Sequence, residues 1–270
     1  MFCVKIRYLI AVAAFCGLFL NHCIKNVTNV TLVAISDSLN SGNASGHHSG
    51  IQDNLTSEPT SSNATGHVEW TSASRNRVQS WFFYGYVLLQ LPSGRMSEII
   101  GTRMIFGPAI LCASLLSFVF PFAAQKGCSG TCFVRFLQGI FLGVCFPSTH
   151  NLLSRWSPVN ERSRMLSIIY SGSSFGMVVI EIASGYLSST LFLGGWPSVY
   201  YIIGCCGLIW SISWLLFARN TPEKHPLIDL DEVNEINLGR SKSTSEKVNY
   251  VGNGLFTFQL SFFTRNLLFR

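Results

Sequence analysis

The sequence predicts an all-α membrane protein in which six helices cross the bilayer. Apolar stretches long enough to span a membrane recur six times before residue 218. Hydrophobic residues make up 48% of the chain and charged residues only 12%, whereas soluble domains carry about 25% charged residues. The basic residues cluster in alternate connections between the apolar stretches. Together these observations argue against an ordinary soluble domain.

The limits of each span follow from bilayer thickness, since a core of about 30 Å takes roughly 20 apolar residues as a helix. The first stretch is interrupted by polar residues at 25–29 and resumes at 30–35. Because no small-residue cleavage site precedes Asn26, we interpret this stretch as a span rather than as a cleaved signal peptide. The six predicted spans cover residues 8–35, 78–94, 104–124, 133–153, 165–187 and 196–217.

The distribution of basic charge predicts the orientation of these spans. Cytoplasmic loops of membrane proteins are enriched in Lys and Arg, and a cytoplasmic N-terminus at residues 1–7 reproduces that enrichment. It also makes residues 218–270 a cytoplasmic, irregular tail. The net charge of +6 is therefore explained by basic residues in the cytoplasmic connections, and it does not indicate nucleic-acid binding. Basic residues near the spans fall inside at Lys5, Arg7, Arg95, Arg103, Arg155, Arg162, Arg164, Arg219 and Lys224, and outside at Arg75, Arg77 and Lys126.

The polar segment at residues 36–77 supports the same orientation. It contains three Asn-x-Ser/Thr triplets, at Asn43, Asn54 and Asn63. Such triplets are glycosylated only on the luminal or extracellular side, so the segment is predicted to be a glycosylated outer loop. Two further triplets, at Asn26 and Asn29, lie too close to the first span to be modified.

Cysteine usage predicts neither a disulfide scaffold nor a metal site. Most of the nine cysteines lie within apolar stretches, where a thiol behaves as a small hydrophobic group. Cys128 and Cys132 flank a turn in the predicted outer loop before the fourth span, where they either form a disulfide in an oxidising lumen or remain free thiols. No Cys/His spacing is typical of zinc, and no cofactor is expected.

The connection between the second and third spans contains a short motif of glycines and charges. Glycine allows close approach of helix ends, and an acid can pair with a nearby cation or helix N-terminus. The pattern resembles the signature of the major facilitator superfamily. Its residues are Gly94, Arg95, Glu98, Gly101 and Arg103.

Longer segments of the sequence carry a more specific resemblance. They are Phe82-Phe83-Tyr84-Gly85-Tyr86, Phe106-Gly107-Pro108, Arg135-Phe136-Leu137-Gln138-Gly139, Phe146-Pro147-Ser148-Thr149-His150, Arg155-Trp156-Ser157-Pro158, Gly195-Trp196-Pro197-Ser198 and Pro222-Glu223-Lys224-His225-Pro226. In these segments the chain resembles one branch of that superfamily, the anion transporters of solute carrier family 17. It is similar to both sialin-like and phosphate-cotransporter-like members, and the resemblance covers residues 7–228.

The resemblance implies two halves of six helices with substrate at the midplane between them, and here only the N-terminal half is expected. The implied function is transport of small organic or inorganic anions, of the sialic acid, acidic amino acid or phosphate class. Transport would use ion-coupled alternating access with H⁺ or Na⁺ as coupling ion. The alternative is a truncated half-transporter without independent transport activity.

Two cations within the spans are the candidate anion ligands. Ionisable groups are costly in hydrocarbon and suggest an aqueous cavity or an ion pair. Lys25 matches a first-helix Arg of the family, and Arg135 matches a fourth-helix Arg that the resemblance implicates in holding substrate. The alternative for each is a side chain that reaches the interface. Tyr86 and Gln138 are the hydrogen-bonding candidates.

Proton coupling is expected at other residues. His150 matches a family histidine, which either titrates or serves as a hydrogen-bonded helix-end residue. The family usually places a Glu at the position of Leu142, and leucine carries no proton. Because Glu181 stands in the fifth span, we hypothesise that the acidic function has moved there. The alternatives are a structural pair of Glu181 with Lys25 or Arg135, or loss of coupling.

The sequence also gives expectations about enzymatic activity, binding partners and cellular location. No phosphate-binding loop, nucleophile elbow or metal cluster occurs in the sequence, so an enzyme is not expected. The predicted partners are a small anionic substrate and the lipid bilayer, without nucleic acid, and the oligomeric state is left open. A multi-pass protein of the plasma membrane or of lysosomal or vesicular membranes is expected.

Overall fold

The computed structural model describes residues 5–44, 72–158, 160–189 and 195–224, together with positions 228, 233, 234 and 236. Within these residues the long regular elements are all α-helices, and a short 3₁₀ turn follows the last of them. The helices are α1 (Ile6–Ala44), α2 (Ser72–Ile99), α3 (Thr102–Lys126), α4 (Cys128–Gly143), α5 (Cys145–Trp156), α6 (Arg162–Ser189) and α7 (Pro197–Phe217), and the 3₁₀ turn is Pro222–Lys224.

Helices α4 and α5 form one spanning rod with a single turn residue, Val144, between them. Pro147 has no N–H to donate to the carbonyl of Gly143, four residues earlier, so the helical hydrogen-bond ladder is interrupted there. The combined rod, Cys128–Trp156, contains the fourth predicted span. The described chain therefore forms six rods, as the sequence predicts.

Five of these rods are both long and apolar enough to cross a membrane, within the part of the chain that the structure describes. Helix α2 is long enough but less apolar, because polar and charged residues occupy both of its ends. Its middle is apolar and packs against α4. Packing against neighbouring helices therefore stabilises α2 within the bundle, in addition to the apolar character of its middle.

The ends of the helices differ from the predicted limits. Helix α1 continues to Ala44 and α2 begins at Ser72, so the predicted loop at 36–77 starts and finishes as helix. Hydropathy reports which residues prefer lipid, whereas a helix continues as long as backbone hydrogen bonds are favourable. Asn43 lies in the last turn of α1. Asn54, Asn63 and nearly all of the tail after Lys224 lie outside the described residues.

The rods pack mainly in three pairs, α1 with α6, α2 with α4, and α3 with α7. In the α2–α4 pair, Gly139 approaches the carbonyl oxygen of Phe82 and Gly143 approaches that of Tyr86, with no space for a Cβ. In the α1–α6 pair the corresponding close approaches are at Gly172 and Gly176. Small residues allow this backbone proximity, which is how helices associate without a hydrophobic driving force.

Aromatic rings hold the third pair together. Phe106 of α3 lies edge-on to Trp210 and Trp214 of α7, at centroid distances of 5.3 and 5.2 Å. The two indoles stack at 5.3 Å, and Trp210 donates its Nε1–H to the carbonyl of Ala13 in α1 at 3.0 Å. The α3–α7 pair is therefore anchored to α1.

The glycine-containing motif forms the tight connection between α2 and α3. Gly101 has a φ of 98°, which strongly favours glycine. Arg95 and Glu98 pair at 2.7 Å on the exposed surface. The backbone N–H of Arg103 donates to Asn220 Oδ1 at 2.9 Å, and its Nε donates to the carbonyl of Leu215 at 3.0 Å. The motif thus fastens the start of α3 to the end of α7.

The two outer-loop cysteines lie at the start of α4. Their sulfur atoms are 3.8 Å apart, and both are free thiols. Beside them is a cavity of about 400 Å³, which Arg77 and Trp81 of α2 also line. None of the predicted substrate or proton-coupling residues lines this cavity.

Candidate functional site

Arg135 lies in the interior of the bundle, on α4, with a fully buried side chain. Its Nη1 donates to the carbonyl of Ile24 and to Gln138 Oε1, both at 3.1 Å. Its Nη2 donates to the carbonyl of Lys25 at 3.3 Å. The guanidinium therefore binds the backbone of α1 at the level of the other candidate cation. Its Nε has no hydrogen-bond partner among the described residues.

Aromatic rings on both sides keep the guanidinium of Arg135 in place. Its centre is 5.3 Å from the ring centroid of Phe82 and 5.5 Å from that of Phe120, within the range of cation–π attraction. Phe120 in turn stacks on Tyr200 at 4.3 Å. The Tyr200 hydroxyl forms a hydrogen bond with Thr31 Oγ1 at 2.7 Å. Residues of five helices thus fix one buried cation.

Gln138 lies one turn along α4 from Arg135 and is also fully buried. Its oxygen accepts the bond from Arg135, and its amide donates to the Ala113 carbonyl at 3.4 Å and to Ser117 Oγ at 3.2 Å. Both ends of the amide are satisfied inside the protein. In this conformation Gln138 ties α4 to α3 and reaches substrate only if these bonds are exchanged.

Lys25 has different surroundings, since its side chain is only half-buried. Its Nζ lies 5.3 Å from the ring centroid of Phe83 and 5.2 Å from that of Tyr86. Among the described residues no carboxylate forms an ion pair with it; the two ion pairs there join Arg7 to Glu161 and Arg95 to Glu98. Lys25 is therefore a cation within a spanning helix, held by aromatic faces rather than by an acid.

Leu142 occupies the position where the family usually has a glutamate, and it is surrounded by other side chains. Leu142 is fully buried, and its backbone carbonyl accepts a hydrogen bond from Asn21 Nδ2 of α1 at 3.2 Å. Glu181 is exposed on α6. Its carboxylate makes no ion pair with the described part of the chain, so the structural pair with Lys25 or Arg135 is not formed here.

His150 joins a row of rings that crosses three helices. Its Nε2 forms a 2.6 Å hydrogen bond with the Tyr170 hydroxyl of α6. Tyr170 packs on Phe146 at a centroid distance of 5.4 Å, and Phe146 meets His22 of α1 edge-on at 5.7 Å. His150 is thus hydrogen-bonded, and either of its two predicted roles is compatible with this bond.

Sequence reasoning missed His22, Asn21 and Tyr170. His22 and Lys25 are three residues apart, so they occupy neighbouring positions on α1, and this spacing was the available signal. Asn21 and Tyr170 lie in apolar stretches and differ from their neighbours only in one polar group. Their contacts with α4 and α5 depend on helix packing.

Comparison with known proteins identifies the family to which the chain belongs. A sequence profile described as Major Facilitator Superfamily matches residues 14–269. The chain belongs to the Major Facilitator Superfamily. Within this superfamily, its curated relatives confirm the resemblance to solute carrier family 17.

Three of these superfamily relatives illustrate the match. Human sialin is 33% identical over 236 residues, covering 84% of this chain and 45% of sialin. Vesicular glutamate transporter 3 of Danio rerio is 38% identical over 167 residues, covering 62% of this chain and 28% of the relative. A Drosophila melanogaster protein whose name assigns it to inorganic phosphate cotransport is 36% identical over 238 residues, covering 87% and 45%. The chain spans less than half the length of these relatives.

Solved structures of the superfamily share the fold. The inward-open xylose transporter XylE from E. coli matches with a TM-score of 0.58 at 13% identity, covering 92% of this chain and 57% of XylE. A crystal structure of a D-xylose-proton symporter matches with a TM-score of 0.56 at 15% identity, covering 87% and 53%. The chain is therefore a multi-pass integral membrane protein with the six-helix N-terminal half of a major facilitator fold.

Proposed function

We propose that this chain provides the anion-binding half of an ion-coupled transporter for small organic or inorganic anions. The proposal is supported chiefly by an excess of positive charge inside the bundle. Lys25 and Arg135 lie at the same level of the bundle, since the Arg135 guanidinium donates to the backbone carbonyl of Lys25. Neither forms an ion pair with an acid in the described residues. An anion would neutralise this excess charge.

The relatives support the substrate class. Their names refer to inorganic phosphate and to glutamate, and both compounds present clustered anionic oxygens. Such oxygens suit an ammonium, although Lys lacks the planar fork with which Arg binds carboxylate or phosphate in two parallel hydrogen bonds. Sialic acid, acidic amino acids and phosphate are therefore the substrate classes proposed here.

The mechanism proposed is alternating access between two six-helix halves, with H⁺ or Na⁺ as coupling ion. Plasma, lysosomal and vesicular membranes are the proposed locations. In this scheme Lys25 faces the substrate, while Arg135 holds α1 against α4. Glu181 and His150 are the coupling candidates. The second candidate function is a chain that binds the anion without transporting it; the 270 residues cover at most 45% of each of the three relatives described.

Binding and transport are tested separately with the 270-residue chain. Equilibrium binding of radiolabelled phosphate, L-glutamate and N-acetylneuraminate is measured in lipid nanodiscs, and uptake of the same anions in proteoliposomes with an inward proton or sodium gradient. We expect at least one anion to bind, and Lys25→Gln to weaken its binding at least about tenfold, the loss of one charge-assisted contact.

The outcomes separate the two candidate functions. Uptake driven by a gradient supports the transporter, whereas binding without uptake supports the half-transporter. If no anion binds, or if Lys25→Gln binds as tightly as the parent chain, the anion site is wrong. Where uptake is observed, Glu181→Gln is expected to abolish its stimulation by a proton gradient, and unchanged stimulation excludes Glu181 as the coupling acid.

A further inference from the structure

His22 has an unusual environment for a polar side chain in a spanning helix. Its imidazole packs edge-on against Phe146 and is half-buried. Both ring nitrogens are shielded from solvent, and neither has a hydrogen-bond partner among the described residues. Leaving a buried polar atom without a partner is unfavourable, and such an atom in a native protein requires an explanation, such as an ion or an ordered water that binds it.

The position of His22 on α1 connects it to the candidate site. Half-buried or exposed side chains recur along α1 at spacings of three or four residues and form a stripe on one face, which α6 partly covers at Phe15 and Phe19. In this stripe His22 precedes Lys25 by three residues, which puts their Cβ atoms about 5–6 Å apart. The stripe consists of Phe15, Phe19, His22, Lys25 and Asn29.

The two side chains approach this face from different sides. Lys25 lies against the α2 rings of Phe83 and Tyr86, whereas His22 lies against Phe146 of α5. Neither contact uses a hydrogen-bond donor of the imidazole or pairs the ammonium with an acid. Within the described residues the imidazole has no hydrogen-bond partner and the ammonium has no acid partner, and an oxyanion that enters between α2 and α5 would supply a partner to both.

We propose that His22 is a second anion contact, so that His22 and Lys25 together bind one small oxyanion, a carboxylate or a phosphate group, on the face of α1 between α2 and α5. The ammonium supplies charge, and an imidazole N–H donates to a second oxygen of the same group. This inference rests on the proposed function, because it assigns a further specificity-determining residue to the same site.

The geometry agrees with the size of such a group. Two oxygens of a carboxylate or phosphate are close enough to accept from donors on adjacent positions of a helix at ordinary hydrogen-bond lengths. Phe146 holds the imidazole from behind, and the row of rings through Tyr170 to His150 backs it from α6. His22 would thus be oriented before the anion arrives, which lowers the entropic cost of binding.

Two substitutions at His22 test the donor role. His22→Phe keeps a ring to pack against Phe146 and removes both nitrogens, while His22→Gln keeps an amide donor. Binding of phosphate, L-glutamate and N-acetylneuraminate to each full-length variant is measured in nanodiscs, beside the parent and Lys25→Gln. Whichever of the three binds the parent identifies the oxyanion as phosphate or carboxylate.

We expect His22→Phe to weaken binding of that anion at least about tenfold, and His22→Gln to stay within about threefold of the parent. The melting temperature without anion controls for misfolding. If His22→Phe binds like the parent while Lys25→Gln does not, the inference is wrong and the proposed function stands. Equal losses in His22→Phe and His22→Gln exclude the donor role. Failure of the parent to bind any probe overturns both proposals.

Discussion

At the scale of single residues, the two candidate cations have different surroundings although the sequence presents them alike. Arg135 is buried, stacked between Phe82 and Phe120, and directed at the backbone of α1. Lys25 remains half-buried on the same helix, beside aromatic rings of α2. We therefore assign Arg135 to holding helices together and Lys25 to substrate.

Arg135→Lys is expected to destabilise the protein. The positive charge stays buried, but the lysine loses the planar fork that serves Ile24, Lys25 and Gln138 together. Losing one hydrogen bond to a charged group costs about 1.5–3 kcal/mol, and each kcal/mol corresponds to roughly 2–4 °C of melting temperature in a domain of this size. Thermal unfolding in detergent, followed by tryptophan fluorescence, measures the change.

Arg164→Lys is the matched control, because Arg164 is exposed at the start of α6. Its melting temperature should equal that of the parent. Equal melting temperatures for Arg135→Lys and the parent would show that the fork of Arg135 does not contribute to stability.

At the scale of helices, packing depends on where backbones touch. The α2–α4 and α1–α6 pairs approach through glycines that face a carbonyl of the partner helix. With α1 packed in this way, His22 and Lys25 stay half-buried, while the carbonyls of Ile24 and Lys25 accept hydrogen bonds from Arg135. The glycines therefore position the candidate site without contacting it.

Gly139→Ala and Gly185→Ala should have opposite effects on stability. A Cβ at Gly139 would collide with the carbonyl oxygen of Phe82, whereas a Cβ at Gly185 meets nothing within 4 Å. Overpacking typically costs about 1–3 kcal/mol, while alanine in an open helix gains up to about 1 kcal/mol over glycine. Melting temperatures in one detergent should fall for Gly139→Ala and rise slightly or stay unchanged for Gly185→Ala. A fall of the same size in both variants would indicate a general effect of helix glycines instead.

At the scale of the whole molecule, the six helices form a body with a large apolar surface, and the curated relatives described extend well beyond it. Many helices carry exposed hydrophobic side chains, and examples of these side chains are Tyr84, Leu91, Ile182 and Leu216. Such a surface suits lipid and a second six-helix half. The orientation of this body in the membrane remains a prediction from charge and from the glycosylation triplets.

Glycosylation offers a direct measurement of that orientation. If residues 36–77 face the lumen, the chain expressed in a eukaryotic cell should lose apparent mass on enzymatic removal of N-glycans. Asn43→Gln, Asn54→Gln and Asn63→Gln should each remove one step on a gel. Asn26→Gln is the control, because that side chain is buried in α1 and should carry no glycan. Insensitivity of all three sites would place the segment on the cytoplasmic side.

Much of the fold was predictable because hydropathy acts locally. Apolar stretches of spanning length located all the rods, and Pro147 together with Gly143 contained the signal for the break between α4 and α5. Helices α1 and α2 extend beyond the predicted spans because backbone hydrogen bonds, rather than hydropathy, determine where a helix ends. Arg135 and Lys25 were found as intramembrane charges, whereas His22 was missed although it lies three residues before Lys25.

The sequence by itself determined the helix count, the family, the predicted orientation and the two cations left without their usual family acid at Leu142. Only the tertiary structure decided that Arg135 turns inward, that Glu181 makes no ion pair with the described residues, and that the His22 ring nitrogens have no hydrogen-bond partner among them. The physical reason is that helical periodicity places side chains around their own axis. The packing of neighbouring helices decides which of those directions is buried, and hence which polar groups are satisfied.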